Sequence, residues 1–264
     1  MCILLAVFLL TNVVIIYGSN HWIRVTQTVV DIGAGEAFDG YRIVHITDLH
    51  AKEFGEGQKE LLSKVKDLEP DCIAVTGDML DRSGDNIEDS MQFMNDLTGI
   101  APVYFVEGNH EVWHPQFEDF IKGLREQSVC ILNNQSVLLE KNGEILRMAG
   151  VQDPFTDRDD LPLALRDCDS NKTTILLAHA PEIFGEAEEC GVDLMLAGHY
   201  HGGQIRFPFV GAVYAPGGHL FPEYDSGLYQ KGNTYMYLSR GLGYTGICQF
   251  RYLNRPELAL IILQ

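Results

Sequence analysis

The chain contains two histidines one residue apart, His199 and His201, within the sequence GHYHGG at positions 198–203. Imidazole nitrogens are common ligands of borderline divalent metals such as zinc, iron and manganese. On an extended backbone, side chains two residues apart point to the same side, so both rings could face one centre. Short His-x-His pairs also occur on ordinary loops, so a metal site here requires further ligands from elsewhere in the chain.

Further ligand-capable residues each follow an apolar, strand-like segment. In chain order they are Asp48 and His50, Asp78, Asn109 and His110, and His179. In open α/β sheets, functional sites form outside the carboxyl ends of the strands, where all of these residues would lie. Their mixture of oxygen and nitrogen ligands favours Mn, Fe or Zn over a pure Mg or Ca site. The sequence therefore predicts a metal site built from five strand ends.

The segments that must position these residues alternate between two hydrophobic patterns. Strand-like apolar runs occupy 41–47, 72–77 and 102–108, and amphipathic helical patterns occupy 57–70, 86–99 and 115–127. This alternation is typical of a parallel sheet flanked by helices and predicts an α/β fold.

The second half of the chain predicts another sheet. The segment 137–150 predicts a β-hairpin that turns at Asn142-Gly143. Two buried strands are expected within 173–180 and 193–199, around a short helix. The tail consists of short apolar segments broken by glycine and proline, including 247–253 and 258–263. We expect these tail segments to form a mainly antiparallel sheet that packs on the first.

The first 23 residues contain no Lys, Arg, Asp or Glu. A helix of about 20 apolar residues fits the hydrocarbon core of a bilayer. We predict an uncleaved transmembrane anchor at 1–23 and one domain at 24–264. A cleaved signal peptide, with its small residues at Gly18 and Ser19, is the alternative. Arg24 and Arg42 favour a domain on the cytoplasmic side of the membrane, whereas signal-anchor topology favours the extracytoplasmic side. We predict a single-pass membrane protein with its domain on the extracytoplasmic side.

The composition limits the partners of the chain. The formal net charge of −18 over 264 residues disfavours nucleic acid, because an acidic surface repels a phosphodiester backbone. A small phosphorylated substrate remains compatible, since two divalent ions carry roughly +4 and two aspartates offset only about half of it. The six cysteines have no regular spacing, and no disulfide framework is expected in a chain of this length.

Taken in order, these residues closely resemble the calcineurin-like metallophosphoesterase superfamily. The matching motifs are Asp48-Leu49-His50, Gly77-Asp78 to Asp81, Gly108-Asn109-His110-Glu111, His179 and Gly198-His199-Tyr200-His201. The resemblance covers about residues 40 to 264 and implies a four-layer α/β/β/α sandwich of two mixed β-sheets flanked by helices. The sequences GHYHGGQIRFP, SRGLGYTG and RPELALIIL look like the membrane-associated bacterial branch, in which some members are similar to UDP-diacylglucosamine hydrolases.

The resemblance implies a dinuclear metal centre with a bridging hydroxide that attacks phosphorus. The implied ligands of one ion are Asp48, His50, Asp78 and His201, and those of the other are Asp78, Asn109, His179 and His199. His110 would stabilise the transition state or protonate the leaving group, and Asp81 would orient it. Tyr200 stands where many relatives carry threonine, which could alter the pocket wall without touching the metals.

Three further residues are candidate substrate contacts. Trp113 and His114 follow the GNHE motif and could line a substrate groove, although local packing is an equal alternative. Arg240, in the sequence SRGLG, could contact a phosphate, and an ordinary structural arginine is the alternative.

The predicted function is that of a metal-dependent phosphodiesterase or pyrophosphatase acting on a lipid-linked or other small phosphorylated substrate. The alternative is a non-catalytic scaffold with the same fold. Scaffolds of this kind usually lose metal ligands or the assisting histidine, and this sequence retains both. A non-catalytic role is therefore the weaker prediction.

Overall fold

The computed structural model describes residues 2–82, 87–166, 172–203, 205–244 and 250–264. Its helices are Cys2–His21 (α1), Lys59–Asp67 (α2), Ile87–Thr98 (α3), Asn109–Trp113 (α4), Phe117–Glu126 (α5), Leu161–Ala164 (α6) and Phe184–Glu189 (α7). Its strands are Arg24–Val30 (β1), Arg42–Ile46 (β2), Cys72–Thr76 (β3), Val103–Val106 (β4), Cys130–Ile131 (β5), Gln135–Lys141 (β6), Glu144–Gly150 (β7), Thr174–Leu177 (β8), Leu194–Ala197 (β9), Ile205–Phe207 (β10), Gly211–Ala215 (β11), His219–Leu220 (β12), Gly227–Lys231 (β13), Thr234–Leu238 (β14) and Glu257–Leu263 (β15).

The first six-stranded sheet has the order β1-β15-β2-β3-β4-β5. Strands β2 to β5 are parallel, with α2, α3 and α5 in the connections between them, so the predicted βαβαβ arrangement is confirmed. Strand β15 lies between β1 and β2, parallel to the first and antiparallel to the second. The carboxyl ends of β2, β3 and β4 therefore meet at one edge of this sheet.

The second six-stranded sheet has the order β13-β14-β9-β8-β7-β6. The hairpin between β6 and β7 turns at Asn142 and Gly143, which both have positive φ, and this prediction is confirmed. The expectation of a mainly antiparallel sheet is wrong, because β7, β8, β9 and β14 are parallel and only the edge pairs are antiparallel. Strands β8 and β9 are buried along their whole length, which is the pattern of parallel strands covered on both faces.

Two tail segments also differ from the prediction. The last strand, β15, joins the first sheet instead of the second, because its apolar residues are buried on both faces there. The segment predicted at 247–253 lies partly outside the described residues, and within its described part Tyr252 forms only an isolated bridge to Ile205.

The two large sheets pack face to face, with helices on both outer faces. Ile43 and Ala74 of the first sheet share one core cluster with Ile175 and Leu194 of the second. On the outer face of the first sheet, the helices contribute a second cluster that includes Leu61, Val65, Phe93 and Leu124. On the outer face of the second sheet, α7 packs through Phe184 and Ala187. The predicted α/β/β/α sandwich is confirmed.

Two further elements lie outside the four layers. Strands β10, β11 and β12 form a small antiparallel sheet directly after the GHYHGG segment. Helix α1 is long and apolar enough to cross a membrane, and it buries only its last residues, Gly18, Ser19 and Asn20, against the domain. Within the described chain, Cys2, Cys72, Cys130 and Cys190 are free thiols, while Cys168 and Cys248 lie outside the described residues.

The position of β15 leads to a stability prediction. Leu260 is completely buried, and its strand joins β1 to β2, so Leu260→Ala should lower the free energy of unfolding by about 2–5 kcal/mol. Leu138→Ala, at a half-exposed position on the edge strand β6, is the matched control. Denaturant titration of both variants in detergent measures the difference. Equal effects of the two substitutions would contradict this placement of β15.

Candidate metal centre

The seven predicted ligands follow the carboxyl ends of five strands from both large sheets. Asp48 and His50 follow β2, Asp78 follows β3, Asn109 follows β4, His179 follows β8, and His199 and His201 follow β9. All seven are buried. The parallel direction of β2, β3 and β4 in one sheet and of β8 and β9 in the other brings these ends together.

Sharp turns at the strand ends direct these side chains into one space. Five of the seven residues have positive φ values between 49° and 70°: Asp48, His50, Asp78, His199 and His201. This conformation costs on the order of 1–2 kcal/mol for a residue with a Cβ, and such strain concentrates at functional sites. Gly108 allows a close approach of the loops, since a Cβ there would lie 2.3 Å from Asp78 Oδ1.

One cluster consists of Asp48, His50 and His201. Their potential ligand atoms all lie within 4.8 Å of one another. His50 Nε2 is 3.2 Å from His201 Nε2, and His201 Nε2 is 3.7 Å from Asp48 Oδ1. The Asp48 carboxylate also accepts hydrogen bonds from the backbone N–H of His199, which joins the strand end of β2 to that of β9.

The other cluster consists of Asp78, His179 and His199, again with ligand atoms within 4.8 Å of one another. Asp78 Oδ2 is 3.2 Å from His179 Nε2, and His179 Nε2 is 3.1 Å from His199 Nδ1. The same Oδ2 atom is 3.6 Å from Nε2 of His50 in the first cluster. Asp78 therefore lies between the two clusters and could contact an ion in each.

The hydrogen bonds around these clusters fit cation binding. His179 Nδ1 lies 2.7 Å from the carbonyl oxygen of Thr76, which can only accept, so Nδ1 carries a proton and Nε2 is the atom that faces Asp78 and His199. Acceptor atoms this close repel one another unless a proton or metal ion lies between them. Asn109 Oδ1 is buried and has no hydrogen-bond partner among the described residues, as expected of a ligand oxygen.

Burial and neighbouring charges shift the pKa values of the candidate ligands. Burial lowers the pKa of His50 and of His199 to about 3, so both rings are neutral near pH 7 and keep their lone pairs. Burial raises the pKa of Asp48 to about 7, because the surrounding protein groups do not fully offset the loss of water around this carboxylate. Burial disfavours the charged ring of His179 too, but the adjacent Asp78 raises its pKa well above the usual value.

Glu111 connects the loops that carry Asp78 and Asn109. Its fully buried carboxylate accepts hydrogen bonds from the backbone N–H groups of Asp78 at 2.7 Å, Gly108 at 2.8 Å and Leu80 at 2.9 Å. Burial, assisted by the charge of Asp78, raises the pKa of Glu111 to about 8. The sequence motif contains this residue but assigns it no role, because the bonds join segments about 30 residues apart.

Arg251 supports the loop of His201 and was not anticipated from the sequence. Its guanidinium is completely buried and donates to the backbone carbonyls of Gly243 at 2.7 Å, Arg240 at 2.7 Å and His201 at 3.3 Å. Burial lowers its pKa to about 10. Asn254 donates to the same His201 carbonyl at 2.7 Å. A single arginine in an apolar segment was the available signal, but the segment was interpreted as a strand.

Asn20, in the last turn of helix α1, is hydrogen-bonded to the backbone of Arg251. The backbone N–H of Arg251 donates to Asn20 Oδ1 at 2.8 Å, and Asn20 Nδ2 donates to the carbonyl of Arg251 at 2.9 Å. Lys52, two residues after His50, also donates to the carbonyl of Asn20. The last turn of α1 is therefore hydrogen-bonded to the segment that carries His50 and to the segment that supports the His201 loop.

His110 and Asp81, the predicted catalytic pair, lie beside the centre. The His110 ring centroid is 4.5 Å from that of His50, and burial lowers the His110 pKa. His110 Nδ1 accepts a hydrogen bond of 3.2 Å from the backbone N–H of Arg82. Asp81 Oδ1 is 3.9 Å from the same nitrogen, which is ion-pair distance but beyond hydrogen-bond distance.

The predicted substrate contacts occupy different environments. Trp113 is half-exposed, with its ring centroid 5.8 Å from that of His110. His114 is buried, and its Nδ1 accepts a hydrogen bond from the N–H of Gln116. Arg240 packs against Gly202, next to His201.

Phe155 and Asp153, in the segment that follows β7, were not anticipated from the sequence. The Phe155 ring stacks on His199 with centroids 4.5 Å apart. Asp153 is fully buried, and burial raises its pKa to about 6. The signal was a polar segment after an apolar strand, the same pattern that identified the other ligands.

A family model described as calcineurin-like phosphoesterase matches residues 41–203. This range covers more than half of the chain and contains all seven predicted ligands. The chain belongs to the calcineurin-like phosphoesterase family. Membership confirms the prediction of a metallophosphoesterase, a class of enzymes that hydrolyse phosphoesters.

Relatives of this calcineurin-like phosphoesterase include bacterial and eukaryotic proteins. It is 31% identical over 266 residues to the uncharacterized metallophosphoesterase YkoQ of Bacillus subtilis, an alignment that covers 97% of each chain. It is 30% identical over 246 residues to a protein of Bos taurus named transmembrane protein with metallophosphoesterase domain, covering 86% of this chain and 54% of the bovine one. Among solved structures, the phosphopantetheinyl hydrolase PptH of Mycobacterium tuberculosis superposes with a TM-score of 0.52 at 12% identity, covering 82% of this chain and 96% of that one. At this identity the likeness shows the fold alone.

The buried guanidinium of Arg251 provides a test of how the phosphoesterase site is supported. Arg251→Met should lower the free energy of unfolding by about 3 kcal/mol, because three buried carbonyls lose a charged donor. It should also reduce the increase in Tm that Mn²⁺ produces, since the His201 loop loses one of its supports. Arg125→Met, at an exposed position on α5, is the control. Identical melting curves for the two variants, with and without Mn²⁺, would contradict this role.

Proposed function

We propose that this chain hydrolyses phosphoesters at two divalent ions held between its two sheets. One ion is assigned to Asp48, His50, Asp78 and His201, and the other to Asp78, Asn109, His179 and His199. The observation that carries the proposal is the position of Asp78, whose Oδ2 lies 3.6 Å from His50 Nε2 and 3.2 Å from His179 Nε2. When bound, the ions would neutralise charge on the phosphoryl group and lower the pKa of bound water.

His110 is the proposed proton donor to the leaving oxygen. The backbone N–H of Arg82 donates to Nδ1, so the neutral ring carries its proton on Nε2. Burial lowers the His110 pKa, so near pH 7 the neutral ring donates a hydrogen bond from Nε2 to the leaving oxygen, and transfer of the proton itself requires the charged ring. When the ring becomes charged, the Asp81 carboxylate at 3.9 Å stabilises a proton on Nδ1. Asp81 therefore acts as a positioning residue.

The proposed substrate is a small phosphodiester or pyrophosphate, and the apolar helix α1 favours one that is linked to a lipid. Trp113 is the best-placed of the proposed substrate contacts, because its exposed ring lies beside His110. Arg240 would contact a phosphate from the Gly202 side, and His114 would support the loop that carries Trp113. Mn, Fe and Zn all suit the ligand set.

We further propose that residues 1–23 anchor the phosphoesterase domain, 24–264, in a membrane as a single span, with the domain on the extracytoplasmic side. Support comes from the apolar surface of α1, which is almost fully exposed, and from the name of the bovine relative. The burial of Gly18 and Ser19 and the hydrogen bonds of Asn20 favour an uncleaved helix over a cleaved signal peptide.

Hydrolysis of bis-p-nitrophenyl phosphate with Mn²⁺ tests the proposed reaction. Asp78→Asn should lower kcat/KM by at least about 100-fold, because it weakens both proposed ion sites. His110→Ala should lower kcat by about 10²–10⁴-fold without releasing metal. Chelation should abolish turnover and added Mn²⁺ should restore it.

The control for this experiment is Asp89→Asn, which removes one exposed carboxylate on α3 and should leave activity unchanged. Metal-independent turnover, or equal turnover in Asp78→Asn and Asp89→Asn, would exclude the proposed reaction. Unchanged kcat in His110→Ala would exclude the assigned role of His110 alone.

A further inference from the structure

The small sheet β10–β12 ends in a cluster of exposed apolar side chains, here called the apolar tip. Its members are Phe207, Phe209, Val210, Leu220 and Phe221. Phe209 is fully exposed and Phe221 is 64% exposed. Contiguous apolar patches of this kind on a protein surface mark a site of interaction with protein or membrane.

The backbone pairing explains why these residues share one end of the sheet. The turn 208–210 connects β10 to β11, and Phe207 pairs with Gly211 at the start of β11. The N–H of Phe221 donates to the carbonyl of Val213, so the chain after β12 runs back toward the same turn. The opposite end of the sheet lies near the metal centre, where the His219 and Tyr200 rings are 5.2 Å apart.

The apolar tip is connected to helix α1 through Tyr252. The N–H of Arg206 donates to the carbonyl of Tyr252 at 3.1 Å, and the rings of Phe207 and Tyr252 have centroids 6.5 Å apart. The Tyr252 hydroxyl donates to Asn12 Oδ1 at 2.8 Å. Asn12 is in the middle of α1, so β10 lies alongside the helix instead of at its end.

The helical rise gives the depth of this contact. Asn12 precedes the buried Asn20 by eight residues, which corresponds to ~12 Å along the helix axis. A bilayer that surrounds α1 up to its last turn therefore also reaches the surface beside Tyr252 and β10. Phenylalanines exposed at that depth would contact the interfacial region of the bilayer.

We propose that the apolar tip is a second membrane contact, inserted into the bilayer interface beside α1. The proposal rests on the membrane placement of α1 proposed above. Aromatic and aliphatic side chains supply the binding free energy, as in interfacial membrane anchors. The formal net charge of −18 makes attraction to anionic lipid unfavourable, so the contact should not require anionic lipid and should persist at high salt.

This contact would fix the orientation of the metal centre relative to the membrane. Strand β10 begins two residues after Gly203, whose carbonyl accepts a hydrogen bond from Asn254, as does that of His201. Holding the helix and the apolar tip in the same bilayer thus leaves the domain little freedom to rotate about α1. A substrate in the membrane would meet the centre in one orientation.

Fluorescence of the full chain in phosphatidylcholine nanodiscs tests the proposal. Phe209→Trp adds a reporter at the apolar tip, and Leu138→Trp adds one at a similarly apolar, half-exposed position on β6 as the control. The wild-type signal from Trp22 and Trp113 is subtracted, and the emission from Trp22 reports on α1 itself. Brominated phosphatidylcholine should quench the added emission of Phe209→Trp at least twofold more than that of Leu138→Trp, at both low and high salt.

Each contrary outcome has a separate meaning. Equal quenching of the two reporters would overturn the proposal. Protection of Phe209→Trp from aqueous iodide without quenching by brominated lipid would also overturn it, in favour of a protein partner. Failure of Trp22 to be quenched would overturn the membrane placement of α1 and the tip contact together. The proposed reaction is tested independently, because Phe209→Ser with Phe221→Ser should hydrolyse bis-p-nitrophenyl phosphate in detergent at the wild-type rate.

Discussion

The structure depends on keeping the carboxylate of Asp78 buried between two groups of imidazoles. Burying a charge and several lone pairs without a counter-ion is strongly unfavourable, and a divalent ion on each side of the carboxylate removes that penalty. The architecture supports this arrangement at every level. Parallel strands from two sheets end at one place, residues with positive φ turn their side chains inward, and glycines permit the close approach of the loops. The buried His and Asp clusters are therefore arranged as expected of a site for divalent cations.

Hydrogen bonds from buried side chains hold the loops of the candidate ligands in both large sheets. Glu111 bonds the backbone of the Asp78 and Asn109 loops, and Arg251 bonds the backbone of the His201 loop. Both side chains bond backbone groups, and Arg251 also lies 3.5 Å from Nδ1 of the His201 ring. Through Asn20, the same network includes the last turn of α1. The apolar helix is thus part of the support of the metal centre, and whatever orients the helix also orients the His201 loop.

From the sequence we identified the candidate ligands but not the residues that support them. All seven candidate ligands follow apolar strands, and this pattern of a polar residue after a buried strand is visible without tertiary information. Glu111 and Arg251 act across about 30 and 50 residues, and their partners are backbone groups that have no sequence signature. The direction of the second sheet was mispredicted because short apolar runs do not distinguish parallel from antiparallel pairing. For the same reason β15 was assigned to the wrong sheet, and the small sheet β10–β12 was not separated from the tail.

Anomalous diffraction at the manganese edge, from crystals of the full chain grown with Mn²⁺, tests the central claim most directly. We expect two anomalous peaks per chain, one on each side of Asp78. One peak should contact Asp48, His50 and His201, and the other should contact Asn109, His179 and His199. A single peak, or two peaks of which only one contacts Asp78, would contradict this expectation.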